Sequence, residues 1–130
     1  LYIIHDVKRV YSLKSRESYK FIFFKGKKIR GRGNIIFVLK NSAIDKSKNE
    51  SASSDIKIGI AVGKKLGKAN KRNWIKRRIR AVCSELIVQM NDGFSIIIKP
   101  GLGNEMMSFE ELKSDIVTLF RNAGVLNGSS

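Results

Sequence analysis

At 130 residues the chain is long enough for one domain with its own core and too short for two. Hydrophobic residues make up 42% of it, yet 26 Lys and Arg against 11 Asp and Glu leave a formal charge of +15, which excludes a neutral surface and calls for a polyanionic partner, nucleic acid ahead of an anionic membrane. One cysteine and one histidine exclude an internal disulfide and a cysteine-based zinc site and leave little for histidine catalysis, and no apolar run reaches the roughly 18 residues that span a bilayer.

Residues 15–24 predict a short helix, with Ser15 as cap, Glu17 in the first turn and Gly26 just past the end. A Gly/Arg-rich connector follows, with room for a short strand near residues 28–32. Residues 34–40, with the run Ile-Ile-Phe-Val-Leu, predict a buried strand. The polar, Ser-rich residues 41–55 read as a mobile hairpin loop, and residues 57–62 alternate as the returning strand. A basic, glycine-containing turn at 63–69 then opens a long helix from about residue 70 to residue 90, whose core stripe is Ile75, Ile79, Val82, Leu86 and Met90. Residues 94–99 predict another strand. Ser108 caps a last helix that buries Leu112, Ile116, Leu119 and Phe120, and residues 127–130 are expected to fray. The expected fold is therefore α+β, a two-layer sandwich of a small sheet and packed helices in the order α-β-β-α-β-α, with the further short strand before the long one.

The charge is uneven: residues 1–84 carry 23 basic and five acidic side chains, the remainder three and six. Residues 57–80 hold ten cations and no acid, whereas a solvated helix face ordinarily interleaves Glu with Lys. At about 100° per residue, Arg72, Asn73, Lys76, Arg77 and Arg80 share an arc of roughly 140°, with Trp74 and Arg78 pointing away from it. Such a face suits phosphates, with Arg gripping bidentately and Asn reaching a ribose or base edge. Tyr19 and Phe23, at i,i+4, either present rings to unpaired bases or pack on the sheet, and Phe21 and Phe24 have similar claims to the core.

Catalytic side chains are lacking. Glu111 and Asp115 stand at i,i+4 and could touch one metal, but acids early in a helix serve its dipole. Gly59 to Lys65 fails as a phosphate loop, because three residues separate Gly59 from Gly63 and Lys64 is followed by Lys65. Cys83, beside the apolar stripe, reads as a core thiol. By its own side chains the chain is a binder.

Residues 57–80 read Lys-Ile-Gly-Ile-Ala-Val-Gly-Lys-Lys-Leu-Gly-Lys-Ala-Asn-Lys-Arg-Asn-Trp-Ile-Lys-Arg-Arg-Ile-Arg. They closely resemble the signature of the protein subunit of bacterial ribonuclease P. The likeness covers roughly residues 9–122, taking in Leu13, Tyr19, Phe23 and Gly26 before the motif and residues 94–100 and 108–121 after it. The family's Arg-Asn-Arg reads Arg72-Asn73-Trp74 here, with Arg78 one turn on as partial replacement for the missing cation.

The resemblance implies a single domain with a left-handed β-α-β crossover, acting in the cytoplasm as a non-catalytic subunit of an endoribonuclease that removes the 5′ leader of precursor tRNA. The chemistry would come from a ribonuclease P RNA and its bound magnesium. Lys64, Lys65, Lys68, Arg72, Asn73, Lys76, Arg77 and Arg80 would contact that RNA. A cleft between the first helix and the sheet would hold the leader through Tyr19, Phe23 and Phe37 or Val38. Neither a membrane nor a homo-oligomer is expected. The alternatives are a general RNA-binding or ribosomal protein, and a stand-alone hydrolase using Glu111, Asp115 and a metal.

Overall fold

A computed structural model describes Leu13, residues 16–47 and residues 56–126; His5, the Ser15 cap, most of the polar segment before residue 56 and the tail at 127–130 lie outside them. The elements run α1 (Arg16–Lys25), β1 (Lys27–Arg30), β2 (Asn34–Lys40), α2 (Asn41–Ser47), β3 (Lys57–Ile60), α3 (Ala69–Leu86), β4 (Phe94–Pro100) and α4 (Phe109–Ala123). The strand expected near residues 28–32 is β1. Three 3-10 turns, Lys64–Leu66, Ile87–Gln89 and Asn104–Met106, precede α3, extend it and precede α4.

The four strands lie in the order β1-β2-β4-β3, antiparallel except for the parallel β3 and β4. Two expectations change here. Residues 41–47 form α2 rather than loop, and β3 does not return beside β2, because β4 comes between them. The Ile96-Ile97-Ile98 run of β4 is buried on both faces and demands a central place. The short, glycine-containing β3 is left at the edge, and α3 carries the chain from β3 to its parallel partner as a β-α-β crossover.

Alternation divides the sheet into two faces. Ile36, Val38, Ile58, Ile96 and Ile98 meet the apolar stripes of α3 and α4 in the main core, which includes every residue expected on those stripes. Cys83 is fully buried there, and burial pushes its thiol up to about 12, so it is inert. On the opposite face a smaller cluster forms around Ile22 of α1, Ile44 of α2 and Ile97.

The helix ends follow their local chemistry. Ser108 accepts from the Glu111 N–H at 3.1 Å while Glu111 accepts from the Ser108 N–H at 2.8 Å, a reciprocal box at the start of α4. Gly124, at φ 75°, closes the other end. No helix among the described residues is long and apolar enough to cross a membrane.

Candidate nucleic-acid interface

Strand register builds the first half of the site. Lys28 of β1 lies opposite Phe37 of β2, Phe37 opposite Ile97 of β4, and Ile97 beside Gly59 of β3, so these four residues form one row across the sheet. Helix α1 runs over that row. Its Tyr19 lies on Gly59, where a Cβ would come within 2.4 Å of the phenol oxygen; Ile22 joins Ile97 in the small core; and Phe23 meets Phe37 edge to face, with centroids 4.8 Å apart and planes at 78°. The Lys28 ammonium stands 5.8 Å above the Phe37 ring. Val38 faces the other way into the main core, at 6% exposure, so of the two β2 candidates Phe37 belongs to this face and Val38 does not. Phe21 packs beside the small core, whereas Phe24 is exposed with Lys25 over its ring.

Helix α3 supplies the second half. Lys64 and Lys65 on the preceding 3-10 turn, Lys68 at the helix N-cap, and Asn73, Arg77 and Arg80 are exposed, while Arg72 and Lys76 are partly buried. The Arg72 Nε is buried without a hydrogen-bond partner among the described residues. Neither of the ion pairs Lys71–Glu105 and Lys113–Glu85, both 2.7 Å, draws on a residue of this arc.

The two halves meet. A cleft of about 250 Å³ is lined by Leu13, Tyr19, Ile58, Gly59, Ile60, Lys76 and Arg80. Burial raises the Tyr19 pKa above its ordinary value, against the opposing pull of a hydrogen bond to the Ile60 backbone and the charge of Arg80, so the phenol stays neutral and protonated beside two cations. Of the three aromatic candidates only Tyr19 lines this cleft, Phe23 and Phe37 lying farther along the row; one ring beside a cationic wall suits a single strand that stacks a base and sets its phosphate against the wall.

Arg78, expected as a partial replacement for the missing cation, is engaged within the chain. It donates to the Asn104 carbonyl at 3.4 Å and to the Met107 carbonyl, and its guanidinium lies over the Trp74 ring. Two of its five N–H groups are thus used within the chain. The acids proposed for a metal are also committed: Glu111 to the cap of α4, and buried Asp115 to the Arg32 N–H (2.8 Å), the Gly33 N–H (3.1 Å) and the Asn34 amide (2.9 Å). Asn104 donates in turn to Asn34 Oδ1 at 2.7 Å. This network, which sequence reasoning missed, pins the turn between β1 and β2 to α4.

The family model for ribonuclease P matches residues 7–124. The chain belongs to the ribonuclease P protein family. It is 32% identical over 120 residues to the ribonuclease P protein component of Symbiobacterium thermophilum, covering 92% of this chain and 96% of that one. It is 30% identical to the component of Streptococcus agalactiae, covering 92% and 100%. Among solved structures it is similar to the Staphylococcus aureus RNase P protein, with a TM-score of 0.75 at 25% identity and coverage of 92% and 100%. The Thermotoga maritima RNase P protein shares the fold, with a TM-score of 0.70 at 23% identity and coverage of 85% and 96%.

Proposed function

We propose that this ribonuclease P protein component works by binding two RNAs at one continuous surface. The α3 arc, with Lys64, Lys65 and Lys68 before it, takes the ribonuclease P RNA. The Tyr19 cleft, continued along the same face of the sheet by the Phe23–Phe37 pair, takes the single-stranded 5′ leader of precursor tRNA. The observation that carries this reading is that Lys76 and Arg80 belong to both surfaces: they sit on the basic arc of α3 and also line the Tyr19 cleft.

The mechanism is electrostatic and geometric. Two RNAs repel, and cations placed between them lower that repulsion, so less magnesium is needed to bring them together. Mature tRNA lacks a leader, so the cleft adds affinity for substrate alone and separates it from product. Magnesium supplies the hydrolytic chemistry and belongs to the RNA subunit; Glu111 and Asp115 are committed to N–H donors and do not fit it here.

The test is cleavage of a 5′-labelled precursor tRNA at low magnesium by buffer, protein, a bacterial ribonuclease P RNA, and protein with RNA. Correct 5′ cleavage is expected only in the last. No gain over RNA alone, with RNAs of each structural type tried, would point to a general RNA-binding protein, and cleavage by protein alone to a hydrolase.

A further inference from the structure

Trp74 has no part in the phosphate arc or in the leader cleft. It is the one tryptophan of the chain and is 40% exposed on the most cationic helix, while its neighbour Ile75 is covered to 1%. By helical geometry it lies about 60° round from Arg77, at the border between the phosphate-facing arc and the flank of α3 that meets the 3-10 turn Asn104–Met106. That flank is anchored on either side of the indole: Lys71 pairs with Glu105 at 2.7 Å, and Arg78 bonds the Asn104 and Met107 carbonyls. The Arg78 guanidinium, held by those carbonyls, stands 4.6 Å from the indole centroid, so the ring has a cationic backing held by the chain while 40% of the residue stays exposed. An apolar protein partner would have to cover Asn73 and Arg77 to reach it. A polyanion that carries flat π surfaces meets the cations and the ring together.

We propose that Trp74 is a stacking platform for one unpaired base of the RNA bound by α3, with Arg78 as its positioning residue. This rests on the reading of α3 as an RNA-binding face. Every base has a π face, so the contact adds affinity without demanding a sequence, and it releases no counterion. An aromatic platform and a phosphate-binding cation at this position therefore leave different signatures in salt.

The experiment titrates the full chain with a transcribed bacterial ribonuclease P RNA, reading tryptophan emission and the salt dependence of affinity. The variants are Trp74→Leu, Trp74→Phe and Trp74→Arg. RNA is expected to quench the wild-type emission. Trp74→Leu should bind about ten-fold more weakly with an unchanged slope of log affinity on log salt, and Trp74→Phe should recover part of the loss. Trp74→Arg should steepen the slope by about 0.9. Trp74→Leu binding as tightly as wild type, or wild-type emission unmoved by RNA that is demonstrably bound, overturns the platform. A wild type that does not bind the RNA overturns the reading of α3 instead. Should circular dichroism show Trp74→Leu unfolded, quenching in the wild type and the slope of Trp74→Arg decide.

Discussion

Gly59 is required by what lies on it. A methyl group there would stand 2.4 Å from the Tyr19 oxygen, and the φ of this glycine is not in the left-handed region, so the demand is for space rather than for backbone freedom. Gly59→Ala must displace the phenol and so reshape the cleft that Tyr19 lines. The holoenzyme made with Gly59→Ala is expected to lose most of its preference for precursor over mature tRNA, while the protein's affinity for the ribonuclease P RNA stays within a few-fold. Competition binding with the two tRNAs checks this, and an undiminished preference would show that the leader does not lie on Tyr19. The distinction between Phe37 and Val38 is decided at the same scale. Both are apolar, adjacent and on one strand, and only the side of the sheet on which α3 and α4 pack tells which of them faces α1. Asp115 was legible as an acid four residues after Glu111, but its three donors come from residues more than 80 positions earlier in the chain, and no local spacing signals such a partner.

Among the elements, α4 is the one whose boundaries the local sequence determines most fully: Ser108, Glu111 and Gly124 supply the start and stop chemistry, and the structure uses all three. Ser108→Ala should cost about 1 kcal/mol of stability in a urea titration. The backbone and side-chain hydrogen bonds with Ser108, aided by the Arg32 charge, lower the Glu111 pKa below its ordinary value. A carboxylate depressed on folding contributes stability above its unfolded pKa and loses it as the pH falls through the folded one. The Tm of Glu111→Gln is therefore expected to lie below that of wild type at neutral pH, with the gap closing in acid; a gap independent of pH would remove the charge from the account. By contrast, residues 41–47 are polar enough to read as loop, yet they fold as α2 because Ile44 has an apolar face of the sheet to cover. Propensity in a short segment yields to such burial.

For the whole molecule, six of the ten cations of residues 57–80 lie on α3 and Lys64, Lys65 and Lys68 lead into it, and the chain sets Tyr19 in one cleft with Lys76 and Arg80 of that helix. About six phosphate contacts imply that RNA affinity falls roughly a thousand-fold between about 50 and 200 mM monovalent salt. Filter binding across that range checks it, and a flat response would remove counterion release from the mechanism. The class of fold, the helix stripes, the basic arc and the character of a binder were all legible because each depends on neighbours within one or two turns or on composition. What the tertiary structure alone decided is which strands pair and therefore which side chains share a surface. The parallel partnership of β3 with β4 sets Gly59 beside Ile97, and the row from Lys28 to Gly59 exists only once four separate strands are in register. Sequence determined the chemistry carried by each element because periodicity is local; tertiary structure decided that the Tyr19 cleft and the basic helix share Lys76 and Arg80, because the contacts that join them span the chain.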